Sequence, residues 1–229
     1  SFGAVLMLQP ELVARLARAM SESAGELPVT VKCRIGVDEH DSYEHLRHFI
    51  ATVALQGHVQ HFIVHARKAW LQGVSPKHNR TLPPLQHHMV ARLTQDFPDL
   101  RFTLNGGVAS LQQASALLDA GVHAVMIGRG ALDNPFMFND ADTHVFGSPA
   151  HPPLSREAAL REYAALCVHA CVDMHGRPLS LPVITKPVMN VFPSRSRRRR
   201  VNNGLRDLQG TYPPLCPDSL MRVFSLGLQ

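Results

Sequence analysis

Val29-Thr30-Val31-Lys32-Cys33-Arg34 alternates apolar and polar residues without a break, the pattern of a strand with one buried face. Val29, Val31 and Cys33 share that face; Lys32 and Arg34 share the other. Three further runs have similar length and character: Phe62-Ile63-Val64-His65-Ala66-Arg67, Phe102-Thr103-Leu104-Asn105-Gly106-Gly107 and Val125-Met126-Ile127-Gly128-Arg129. Each is apolar until its C-terminal end, where a charge, a histidine or glycine appears.

Helical patterns lie between these runs. Asp41 and Glu44 have the spacing of a capping box, Leu46, Phe49, Ile50 and Val53 form one apolar face, and Gly57 is the expected stop. Ser110 and Gln113 repeat the device, with Ala114, Leu117 and Leu118 as the stripe and Gly121 as the stop. A third helix is predicted over 84–97. Strand, loop and helix recurring at roughly 30-residue spacing is the βαβ rhythm, which demands parallel strands joined by crossover helices. The expected class is α/β. Beyond about residue 150 the pattern is helical only. Ser155 caps a run through Leu160, Tyr163, Leu166, Cys167 and Cys171 that Gly176 ends. Residues 182–229 are rich in Pro, Arg and Asn and have weak periodicity.

The chain has 229 residues, 45% of them apolar, enough for a sizeable core. A formal charge of +5 favours a polyanionic partner. The charge is concentrated: Arg195, Arg197, Arg198, Arg199 and Arg200 stand almost together, whereas the first 150 residues mix both signs. Cys33, Cys167, Cys171 and Cys216 form no C-x-x-C pair and no regular framework, which points to a reducing compartment. No apolar run approaches the roughly 20 residues needed to span a bilayer. The chain opens Ser1-Phe2-Gly3 without an initiator methionine, as a piece of a longer protein would.

In a β/α barrel the active site sits at the C-terminal ends of the strands, often with a phosphate between the last two. Asn105-Gly106-Gly107 and Gly128-Arg129 would offer it backbone N–H groups and a guanidinium. Each feature alone has a plainer explanation. A Gly-Gly after a strand is ordinarily a turn, a lone His65 a satisfied structural residue, and Lys32 a side chain that snorkels to the rim. Four successive strands ending in this way favour a phosphorylated cofactor. A metal site on His61 and His65, or on His87 and His88, lacks a carboxylate or cysteine to complete it.

The run Val31-Lys32-Cys33-Arg34-Ile35-Gly36, with His65-Ala66-Arg67-Lys68, Asn105-Gly106-Gly107 and Gly128-Arg129, resembles the tRNA-dihydrouridine synthases, in particular the DusA type. Asp41-Ser42-Tyr43-Glu44, Ala69-Trp70-Leu71 with Gly73, Ser75-Pro76-Lys77, Asn79-Arg80 and Asn134-Pro135 add to the likeness, which covers most of residues 1–147. The resemblance implies a partial TIM (β/α)8 barrel of about four C-terminal units over residues 1–150, then a small all-α, atypically basic tRNA-binding domain over 151–229. It implies noncovalent FMN, reduction of the C5–C6 double bond of a uridine in tRNA, and NADPH as reductant. Lys32 would lie at the pyrimidine edge of the flavin and His65 at its ring. Asn105, Gly106, Gly107, Gly128 and Arg129 would hold the phosphate. Lys77 and Arg80 match positions that meet tRNA in this subfamily, and Arg197, Arg198, Arg199 and Arg200 are taken as a second tRNA contact. The complete protein would be a cytoplasmic or organellar monomer, without metal or membrane.

Two departures qualify the resemblance. An eight-stranded barrel takes about 250 residues, and the Asn-x-x-Cys-Pro-type loop whose cysteine is the family's proton donor would precede Ser1. No catalytic residue is therefore expected within these 229, and the chain alone is expected neither to hold FMN tightly nor to reduce uridine. Cys33 points toward the helices by parity; Cys167 and Cys171 read as core. In the tail, where the family carries a basic motif with a tryptophan, Arg197-Arg198-Arg199-Arg200-Val201-Asn202-Asn203 stands instead, equally readable as a solvated or targeting stretch. The alternatives are a noncatalytic tRNA-binding remnant and another FMN-barrel oxidoreductase acting on a small molecule.

Overall fold

The computed structural model describes residues 3–149, 152, 154–170, 180–192, 194–208 and 216–229. Cys171 and Gly176 lie outside them. The chain forms two compact units, Ser1–Gly128 and Arg129–Gln229.

In the first unit the four runs form β1 (Val31–Arg34), β2 (His61–His65), β3 (Arg101–Asn105) and β4 (Ala124–Met126), a parallel sheet in the order β1-β2-β3-β4. Parallel pairing requires a crossover after each strand. The crossovers are α2 (Tyr43–Gly57), α3 (His87–Asp96) and α4 (Leu111–Asp119), and α1 (Pro10–Ala24) precedes β1. The helices bury their apolar stripes against one sheet face: Leu46, Phe49, Ile50, Val53, Met89, Val90, Leu93 and Ala114 join Cys33, Phe62, Val64, Phe102 and Leu104 in one core. Lys32, Ile63, His65, Thr103 and Asn105, the alternate residues, belong to the opposite face. The α/β class and the four strands are as the alternation predicts.

Several local expectations need correction. Ser42, not Asp41, caps α2, its Oγ accepting from His45 N at 3.2 Å. Asp41 is instead drawn to Lys68 Nζ, 2.7 Å away. Gly57 does not stop α2; the left-handed residue after the helix is His58, with φ 57°. Gly57 serves a different need, since a Cβ there would lie 3.0 Å from the backbone of Ala14 in α1. Two helices that close leave room only for hydrogen. α1, an amphipathic helix that the sequence reading did not include, meets α2 through small Ala14 and Ala17. In α4, Ser110 caps as expected, while Leu117 and Leu118 are only partly buried.

The second unit is helical: α5 (Arg129–Asp133), α6 (Ala141–Phe146), α7 (Arg156–Ala170), α8 (Leu181–Thr185), α9 (Arg195–Leu208) and α10 (Pro217–Leu228). Ser155 Oγ caps α7 by accepting from Ala158 N at 3.0 Å. Leu160, Ala164 and Cys167 turn inward, whereas Leu166, expected in the stripe, is 54% exposed. The arginine run is a helix because it is amphipathic. Ser194 Oγ accepts from Arg197 N at its start, and Val201 and Leu205, one turn apart, enter a core with Phe192, Leu220 and Phe224. Periodicity is weak there because only Val201, Leu205 and the partly buried Leu208 anchor fourteen residues.

Candidate functional site

Strand register places Arg34, His65, Asn105 and Met126 side by side at the C-terminal end of the sheet, with Lys32, Ile63, Thr103 and Ala124 one row below. Lys32 Nζ donates to Asn105 Oδ1 at 3.2 Å, and Asn105 Nδ2 donates to the carbonyl of Met126 at 2.9 Å. One asparagine thus fixes a lysine on β1 and the end of β4. Burial, with Arg34 beside it, holds the Lys32 ammonium below the usual lysine range.

The turn after β3 is tightly built. Gly106 and Gly107 have φ of 114° and 76°, conformations that residues with side chains rarely adopt. A Cβ on Gly106 would lie 2.6 Å from His65 Cδ2, so the buried imidazole rests directly on the turn. His87 Nε2 donates to Gly106 O at 2.8 Å, and Leu85 covers Gly107. Sequence reads His87 only as half of a metal pair with His88 and does not single out Leu85, because what the two residues contact lies about twenty residues further on. Gly128 has open space where a Cβ would be, and Arg129 follows it as the first residue of α5.

A second group surrounds the loop after β2. Arg34 Nη1 donates to the carbonyls of Lys68 and Asn79 at 3.1 and 3.0 Å. Asn79 bonds both backbone groups of Trp70, accepting from its N–H at 3.0 Å and donating to its carbonyl at 2.5 Å. Arg67 donates to the carbonyl of Pro83. Burial first, then the charges of Arg67 and Arg80, lower the pKa of Arg34. Lys77 and Arg80 are exposed on this pinned loop.

The parallel sheet thus carries a lysine, a histidine and a glycine-pair turn at its C-terminal edge. The family profile described as Dihydrouridine synthase (Dus) matches residues 1–209. The chain belongs to the dihydrouridine synthase family. Three similar proteins are each named tRNA-dihydrouridine(20/20a) synthase. That of Shewanella oneidensis is 46% identical over 191 residues, 83% of this chain and 55% of its own length. That of Synechocystis sp. is 52% identical over 146 residues, 64% and 43%. That of Pseudomonas syringae is 47% identical over 176 residues, 76% and 51%. These relatives support the DusA-type assignment, and the family is one of oxidoreductases on a TIM barrel, of which the first unit is a part. The chain spans about half the length of the curated relatives it matches.

The other expected residues are placed as follows. Cys33 is buried in the core, its thiol pushed up to about 12 by desolvation. His61 bonds Thr103 Oγ1 at 2.7 Å and His88 is exposed. Among the described residues no group of three or more His, Cys, Asp or Glu is arranged to hold a metal ion, and no helix is long and apolar enough to cross a membrane. Arg197 and Arg200 donate to carbonyls of α10, and Arg198 Nη1 donates to Asn190 Oδ1.

Proposed function

We propose that the protein reduces uridine to dihydrouridine in tRNA with FMN as cofactor and NADPH as reductant, and that the open face of the sheet forms one side of the flavin site. The observation that carries this reading is the Lys32 to Asn105 hydrogen bond. It holds an ammonium over an otherwise largely apolar row, with one of its three donors engaged and the others free to meet the polar edge of a heterocycle. The residues suit such a group. Lys32 offers positive charge to the pyrimidine edge, His65 backs the ring, and the turn at Gly106 and Gly107 and the bare backbone at Gly128 face the phosphate. Asn105, whose amide is engaged at both ends, positions Lys32 rather than binding phosphate. FMN, when bound, supplies hydride to the C5–C6 bond. The tRNA docks on Lys77 and Arg80 and on α9; a substrate of small size has no use for either cationic surface.

The test replaces the matching segment of the Shewanella oneidensis relative with residues 3–128 of this chain and assays dihydrouridine in tRNA from cells lacking that enzyme. Restored dihydrouridine, lost again with Lys32→Ala, is the expected result. A folded chimera that forms none overturns the assignment of this sheet to the flavin site.

A further inference from the structure

We propose that α9 divides its arginines by face: Arg195, Arg199 and Arg206, with Asn202, form the strip that grips RNA phosphates, while Arg197 and Arg200 fasten α10 and leave RNA untouched. This inference rests on the tRNA reading above and goes beyond the arginine run as a whole.

Residues 195, 199, 202 and 206 are separated by four, three and four positions, so they share one side of the helix. All four are exposed. With Ser196, Arg198 and Asn203 they line an open hollow on the surface of α9. Val201 and Leu205 occupy the buried side. The helix carries six arginines against one aspartate, and among the described residues none of these arginines has an ion-pair partner. At 1.5 Å per residue the strip is about 16 Å long, a length that suits successive phosphates of a polymer rather than a single anion. Its planar guanidinium groups match phosphate oxygens in pairs, and asparagine adds neutral hydrogen bonds.

Arg197 and Arg200 have a different task. Arg200 Nε donates to Leu226 O at 2.8 Å and Arg197 Nη2 to Gln229 O at 3.3 Å. Leu226 lies in the last turn of α10, where the helix leaves acceptors unsatisfied and concentrates partial negative charge, and Gln229 is its C-cap residue. Two guanidinium groups there cap one helix with another. Arg198, half-buried and bonded to Asn190, holds the turn that leads into α9.

The experiment measures binding of labelled, unmodified tRNA to the 229-residue chain across a salt series, together with thermal unfolding. R195Q/R199Q/R206Q should reduce the slope of log affinity against log salt by about 2 to 3 and weaken binding roughly tenfold or more, with Tm unchanged. R197Q/R200Q should lower Tm by several degrees and keep the slope. If the double variant does not fold, Arg200→Gln alone carries the same comparison. A triple variant with wild-type slope, or a double variant that loses slope as much as the triple, overturns the division while leaving the tRNA reading intact. Wild-type protein without affinity for tRNA, or one from which polyglutamate displaces tRNA mole for mole, overturns both.

Discussion

Lys32 on β1 reaches past β2 to Asn105 on β3, its Nζ 3.2 Å from the amide oxygen. Neighbouring strands are about 4.8 Å apart, so β1 and β3 are separated by roughly 10 Å, a span that a lysine and an asparagine close only by leaning toward each other. The pair ties three strands together on the face the helices leave open. It also settles where the ammonium points, which alternation alone leaves free.

Lys32 should reveal its environment through pH. Burial and the nearby Arg34 lower its pKa in the folded state, so the unfolded chain binds the proton more tightly. Its charge therefore costs stability at neutral pH, and the cost fades as pH rises through the lowered value toward the unfolded value near ~10.4. Thermal unfolding of wild type and Lys32→Met between neutral and alkaline pH should show wild type gaining on the variant as pH rises. A gap that moves the other way would place the lysine in water.

Gly106→Ala should damage the turn at which the phosphate is proposed to sit. The new Cβ would lie 2.6 Å from His65 Cδ2 in a backbone with φ of 114°, and strain with overpacking is commonly worth about 1–3 kcal/mol. Urea unfolding should show a loss of that order. A variant as stable as wild type would mean that His65 does not rest on this turn.

Ser42→Ala tests which residue starts α2. Loss of an N-cap costs about 1 kcal/mol, and the Ser42 hydroxyl is the group that accepts from His45 N. Asp41→Asn removes only the partly exposed pair with Lys68, for which about 0–1 kcal/mol is usual. Denaturation midpoints should rank Ser42→Ala below Asp41→Asn. The reverse order would mean that the Asp41–Lys68 pair outweighs the Ser42 cap.

These cases mark how far sequence reached. The strands were legible because Val29 to Arg34 and its counterparts alternate with period two, and that same parity put Cys33 toward the helices, where it is buried. The caps were less legible: Asp41 and Ser42 are both good N-cap residues, and only the competing pull of Lys68, 27 positions away, decides between them. Gly57 looked like a stop because the sequence does not show Ala14 pressed against it. The contacts of His87 and Leu85 with the Gly106-Gly107 turn escaped notice for the same reason, since contacts between distant positions leave no periodic trace. In α9 the arginines hid the short apolar stripe of Val201, Leu205 and Leu208 that makes the run a helix.

The thiols should react in an order set by burial. Cys216 is exposed at the N-cap of α10, and its pKa is lowered by the Ser219 hydroxyl and then by backbone N–H groups. Cys33 is pushed up to about 12 by burial, and Cys167 is buried in the helical core. Brief iodoacetamide treatment of native protein at neutral pH, followed by peptide mass analysis, should find label on Cys216, with Cys33 and Cys167 modified only after unfolding. Early label on Cys33 would contradict its place between sheet and helices.

Neutralising Lys77 and Arg80 should weaken tRNA binding through charge alone. Both are exposed on a loop whose shape is set beneath them: Asn79 holds the backbone of Trp70 from both sides, and the Arg34 guanidinium bonds the carbonyls of Lys68 and Asn79. A loop fixed in this way presents its cations with little ordering left to do on binding. Each phosphate contact contributes about 0.7–0.9 to the slope of log affinity against log salt. Lys77→Gln with Arg80→Gln should therefore reduce that slope by roughly 1.4–1.8 and leave Tm nearly unchanged, because neither side chain belongs to the core. Asn79→Ala should do the opposite to stability, lowering Tm by freeing Trp70, and weaken tRNA binding with the slope preserved. A filter-binding salt series on the three proteins separates the two effects, and an unchanged slope in the double variant would assign Lys77 and Arg80 a structural role.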